Sequence, residues 1–216
     1  MATLLHIDSA ALPAGGSASR EVTQAFQENW LAQHPEGTVV YRDLAAEPLP
    51  HLDAVGIGAA FADPSTHDDA QRAAMALRNE LAAELEAADV VLIGAPMYNL
   101  SIPSTLKAWL DQVIIMGRTA GENSSVAGKK VVVVASRGGA YGSGTPREGL
   151  DFAAPFLQGV LGALMQLDVH VIIPELTLAK VNPAMSELIP LAEASREQAL
   201  AEAADKAKEL AVLVAA

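Results

Sequence analysis

The stretch Lys129-Lys130-Val131-Val132-Val133-Val134-Ala135-Ser136 decides the fold. Four consecutive β-branched residues disfavour a helix and leave no polar face for solvent, so the run reads as a central strand buried on both sides of a parallel sheet. Working outward, four more short apolar runs read as strands: Thr3 to Asp8, Thr38 to Asp43, Asp89 to Ala95 and Asp168 to Ile173. Between them the apolar spacing turns helical. Ser19 to Gln33 places Val22, Phe26 and Trp30 on one face, and Asp68 to Ala87 is opened by Thr66 with Asp69 as a capping pair. A third helix starts near Pro103, with Leu106, Leu110, Val113 and Ile114 as its stripe. A fourth is expected from the capping-box pattern Thr145-Pro146-Arg147-Glu148, interrupted at Pro155, and a fifth covers Pro190 to Val214. Pro48 to Pro64 reads as the longest irregular stretch.

Strands alternating with helices predict a doubly wound α/β fold: a five-stranded parallel sheet in the order 2-1-3-4-5, helices on both faces, right-handed crossovers. With 216 residues, 51% of them hydrophobic, the chain suits one domain spanning residues 1–216. A formal charge of -12 repels phosphate polyanions, which argues against nucleic acid as a partner. The absence of cysteine excludes disulfides and thiol redox chemistry, so electron transfer would need a borrowed cofactor, and it suggests a cytoplasmic setting. No signal peptide or membrane span is expected. The histidines lack H-x-H and H-E-x-x-H spacing, so no metal site is expected, and G-x-S-x-G is absent too.

In this strand order a ligand binds at the carboxyl ends of the strands, around the switch between the first and third. The loops after strands one, three and four should therefore carry the chemistry. After strand one, Ser9 to Arg20 combines small residues with an immediate helix start, a plausible phosphate cradle in which Ser9, Ser17 and Ser19 offer hydroxyls and Arg20 a cation. The same residues suit a plain helix cap and turn. Neither G-x-G-x-x-G nor a P-loop pattern is present. After strand three, Pro96-Met97-Tyr98-Asn99 sets a thioether, a phenol and an amide where they could edge a flat heterocycle. After strand four, Ser136-Arg137-Gly138-Gly139 opens a glycine-rich loop whose amides, in nest conformations, could face partial negative charge on such a ring.

Pro96-Met97-Tyr98-Asn99, Ser136-Arg137-Gly138-Gly139 and Ser17-x-Ser19, with Arg42-Asp43-Leu44 and Gly128-Lys129-Lys130, together resemble the FMN-dependent NADH:quinone oxidoreductase and azoreductase family over essentially the whole chain. The resemblance implies a flavodoxin-like homodimer holding FMN noncovalently at the subunit interface. It implies NADH or NADPH as reductant and two-electron, ping-pong hydride transfer to quinones or azo compounds. It also implies phosphate contacts from Ser9, Ser17 and Ser19 and ring contacts from Pro96, Met97, Tyr98 and Asn99, with further contacts from Ser136, Gly138 and Gly139. Tyr98 and Asn99 would act in positioning, and Arg137 as a structural ion-pair partner. Two departures concern the substrate: Leu100 stands where many relatives have Phe, and Gly117 to Val126 is short and lacks an aromatic residue. Stacking of an acceptor would then fall to Tyr141 or Phe152. The alternative reading is a flavodoxin-type electron carrier without its own small-molecule substrate.

Overall fold

The computed structural model describes residues 1–214. Five strands, β1 (Thr3–Asp8), β2 (Thr38–Asp43), β3 (Val90–Gly94), β4 (Lys130–Val134) and β5 (Asp168–Ile172), form one parallel sheet in the order β2-β1-β3-β4-β5. The expected order is thus observed. The valine strand is interior, between β3 and β5, but β3 takes the middle position. Alternation along each strand divides the core in two. Val131 and Val133 join Leu5, Ile93 and Trp109 on one face, while Val132 and Val134 join Leu4, Phe26 and Trp30 on the other.

Helices α1 (Ala18–Gln33), α2 (Ala54–Phe61), α3 (Asp69–Ala87), α4 (Ser104–Val113), α5 (Ala154–Leu157) and α6 (Ile189–Val214) follow in chain order. Val22, Phe26 and Trp30 bury the face of α1 that the spacing predicts. An alanine stripe on α6, Ala199, Ala203 and Ala207, lets that helix lie close against α1, so one face of α6 joins the core. On the opposite face, α3, α4 and α5 contribute Leu81, Leu85, Leu106, Trp109 and Leu157.

Three sequence expectations need correction. The stretch read as irregular contains α2, which Asp53 caps through the Gly56 amide; Gly56 and Gly58 conceal it from a propensity argument. The capping box of α3 is Asp68 with Gln71, two residues beyond the expected Thr66–Asp69 pair, and Thr66 belongs to a short 3₁₀ turn. The expected helix start at Thr145 is a chain of turns, because the Glu148 carboxylate accepts from the Gly144 amide and the Ser143 hydroxyl. The helix starts instead at Ala154, where Asp151 accepts from the Ala153 and Ala154 amides, and its continuation over Gln158–Leu164 is π-helical.

β1 and β3 end side by side, with Asp8 opposite Gly94. A β-carbon at position 94 would collide with the Asp8 carboxylate, which is buried and accepts from Thr23 Oγ1 at 3.1 Å. Gly94→Ala should therefore destabilise the fold by about 1–3 kcal/mol, read as a lowered denaturation midpoint with an unchanged denaturant slope.

Candidate functional site

Main-chain bonds draw the three loops together. Ser9 N–H donates to the Gly94 carbonyl (3.2 Å), joining the β1 loop to the end of β3, and Met97 N–H donates to the Ser136 carbonyl (2.8 Å), joining the β3 and β4 loops. A third tie runs from the Ala11 amide to the Tyr98 hydroxyl (3.0 Å). Ser9, Ser17, Ser19, Pro96, Met97, Tyr98, Asn99, Ser136, Gly138 and Gly139 all lie on these joined loops or the first turn of α1.

Within the β1 loop the serines differ. Ser17 caps α1, its hydroxyl oxygen accepting from the Arg20 amide (3.4 Å) and lying 3.1 Å from the Ser19 hydroxyl. Ser19 is fully buried, and the Ser9 hydroxyl donates to the Gly94 carbonyl at 2.6 Å. Among the described residues, the amides of Ser17, Ala18 and Ser19 have no protein partner. Hydrogen-bond donors converging at a helix N-terminus suit a phosphate. Arg20, expected as a further cation there, faces the other way: its guanidinium bonds Asp8, Tyr41, Asp43 and two loop carbonyls.

The β3 loop is a tight turn. Tyr98 and Ser101 exchange two main-chain bonds (2.9 and 3.1 Å) across Asn99 and Leu100, both left-handed at φ 51° and 70°. Asn tolerates this conformation, whereas for Leu it is strained. Pro96 is buried, Met97 and Tyr98 are half-buried, and Asn99 is exposed.

In the β4 loop the carbonyls of Arg137, Gly138 and Gly139 accept from the amides of Thr177, Leu178 and Leu176 (3.1, 3.3 and 3.3 Å). Among the described residues the Gly138, Gly139 and Ala140 amides have no protein partner, so the loop offers donors on the side away from β5. The expected nest does not form, since neither Gly138 nor Gly139 has positive φ. Gly138 leaves room for Leu178 instead: a β-carbon there would stand 2.7 Å from Leu178 Cδ1, so that half-exposed side chain would have to shift. Arg137 is buried and pairs with Asp151 (2.6 Å) and Glu175 (3.0 Å). Of the two candidate stacking rings, Tyr141 is buried under Arg147, while Phe152 is 53% exposed.

Electrostatics concentrate behind the β1 loop. Burial raises the Asp8 carboxyl, but hydrogen bonds and charges from His6, Arg20 and Tyr41 outweigh it and hold Asp8 below its ordinary range. Burial, then the Asp8 charge and hydrogen bond, push the Tyr41 hydroxyl up to about 12. Groups of three or more His, Cys, Asp or Glu side chains placed to share a metal ion are absent among the described residues, and no described helix is long and apolar enough to cross a membrane.

Residues 2–210 match the family model described as the flavodoxin-like fold. An FMN-dependent NADH:quinone oxidoreductase from Streptomyces coelicolor is 61% identical over 210 residues, covering 97% of this chain and 96% of the relative. The chain belongs to this family. A protein of the same name from Streptomyces avermitilis is 60% identical over 212 residues, 98% of each chain. Among solved structures, an azoreductase from Bacillus anthracis superposes with a TM-score of 0.82 at 25% identity, covering 97% of this chain and all of that one.

The raised Tyr41 pKa has a readable consequence. The group is neutral in the fold, so its contribution to stability is complete below pH 10, the ordinary tyrosine value, and is lost as pH rises through about 12. Tyr41→Phe should remove a tyrosinate absorbance step near pH 12 and flatten the decline in stability between pH 10 and 12.

Proposed function

We infer that the chain is an FMN-dependent NADH:quinone oxidoreductase. The observation that carries this reading is 61% identity, over 97% of the chain, to a relative of that name. The site's donor set suits the cofactor: unpartnered amides over Ser17–Ser19 fit a phosphate at one end, and those over Gly138–Ala140 fit the electron-rich edge of a ring at the other. FMN, when bound, exchanges two electrons with NADH or NADPH and then with a quinone or azo acceptor.

The whole chain serves as one FMN-binding domain. Ser17 donates its hydroxyl to the phosphate, and the buried Ser19 steadies it. Ser9 acts through its bond to Gly94, holding the loop against β3. Pro96 and Met97 pack along the ring while Ser136, Gly138 and Gly139 line its polar edge. Tyr98 and Asn99 position substrate and cofactor: the tight turn fixes both, and the Tyr98 hydroxyl is held by the Ala11 amide. Phe152, exposed where Tyr141 is buried, supplies the stacking surface for an acceptor.

The active unit is a homodimer with the site at its interface. Exposed Val55, Ile57 and Phe61 on α2, the last 89% exposed, support a partner surface. The cysteine-free composition supports a cytoplasmic setting.

Protein reconstituted with FMN should oxidise NADH continuously with a simple quinone and no added reductase. A bound flavin spectrum without turnover would return the electron-carrier reading, and failure to take up FMN would exclude both. Ser17→Ala should weaken FMN binding by about 1–3 kcal/mol while the protein stays folded, measured by quenching of flavin fluorescence on titration.

A further inference from the structure

Arg20 is the second residue buried in α1, yet it touches the β1 loop more extensively than any side chain described above. Nε donates to the Leu12 carbonyl (2.9 Å) and Nη2 to the Ala10 carbonyl (2.9 Å). Nη1 donates to the Tyr41 hydroxyl (3.0 Å) and to Asp8 (3.4 Å), and Nη2 also donates to Asp43 (2.8 Å). All five N–H groups of the fork are thereby engaged, so none is left to donate to a ligand. The two carboxylates come from the ends of β1 and β2, so the guanidinium is anchored to the sheet before it reaches the loop.

In a trans peptide the carbonyl and the following N–H point in opposite directions. Holding the Ala10 carbonyl on Arg20 therefore turns the Ala11 N–H outward, where it meets the Tyr98 hydroxyl at 3.0 Å. The Arg20 amide meanwhile bonds the Ser17 oxygen, so that hydroxyl's own proton is left for the Ser19 oxygen 3.1 Å away or for a ligand. One residue thus fixes the loop from beneath with its side chain and orients the cap serine with its backbone.

Resting on the FMN reading above, we propose that Arg20 is a positioning residue for the cofactor's phosphate: it acts through the β1 loop, which it clamps with the Ala10 and Leu12 carbonyls, and not by contact or net charge. Lysine keeps the charge between Asp8 and Asp43 but lacks the planar fork needed to hold both carbonyls at once.

The test compares FMN with riboflavin, which lacks the phosphate, by fluorescence titration of wild type and Arg20→Lys. Wild type should prefer FMN; if it binds neither flavin, the FMN reading itself fails. In Arg20→Lys the preference for FMN over riboflavin should fall about tenfold, a change equal to about 1.4 kcal/mol. A folded Arg20→Lys protein with an unchanged preference would overturn the proposal while leaving the FMN reading intact. A general structural role would weaken both flavins alike and also counts against it. Should Arg20→Lys not fold, Asp43→Asn keeps the caps on the Ala45 and Ala46 amides while removing one anchoring charge. It should shift the preference in the same direction by a smaller factor, and amide exchange over residues 10–16 should quicken while β3 and β4 stay protected. No shift and no quickening there would likewise sink the proposal.

Discussion

Everything at the site depends on where main-chain carbonyls are sent. Each of the three loops has its carbonyls tied back to the protein: Ala10 and Leu12 to Arg20, Gly94 to Ser9, Ser136 to Met97, and Arg137 to Gly139 to the segment after β5. In the β4 loop, where a peptide's donor and acceptor are opposed, tying the Arg137, Gly138 and Gly139 carbonyls inward leaves the Gly138, Gly139 and Ala140 donors outward, while over Ser17–Ser19 the open donors are those of the helix start. An acidic chain, with a formal charge of -12, can thus present a donor-rich site for an anionic ligand while the Arg20 and Arg137 guanidinium groups are paired with the protein's own carboxylates.

The sheet was legible because its evidence is local. Five β-branched or apolar runs separated by helical spacing leave few alternatives, and parallel pairing in a 2-1-3-4-5 order brings three particular loops together. Helix α2 escaped because Gly56 and Gly58 lower its propensity, and its existence depends on the Asp53 cap and on contact with α3. The helix expected at Thr145 failed for a related reason. Thr-Pro-Arg-Glu matches a capping pattern, but the Glu148 carboxylate turns back to Gly144 and Ser143, a choice visible only in three dimensions.

Within the candidate site, residue types pointed to three loops that the fold joins, but not to the different surroundings of each side chain. Ser17 and Ser19 look equivalent in sequence, yet one caps the helix at its rim and the other is sealed beneath it. Arg20 reads as a phosphate ligand on charge alone, while its partners on β2 lie more than twenty residues away along the chain. Glycine at 138 suggests backbone freedom, but its φ is not positive and its nearest neighbour is the Leu178 side chain from the segment after β5.

The four valines of β4 carry one more implication. Because both faces receive the same side chain, a slip of this strand by one position would leave either hydrophobic layer almost indifferent. Alignment must then be imposed at the polar extremities. At one end Lys130 meets Asp168 and the Gly128 amide donates to Gln166; at the other Arg137 is held between Asp151 and Glu175. The greasy middle supplies cohesion without addressing, and the charged ends decide at which residue the strand stops and the glycine rim begins.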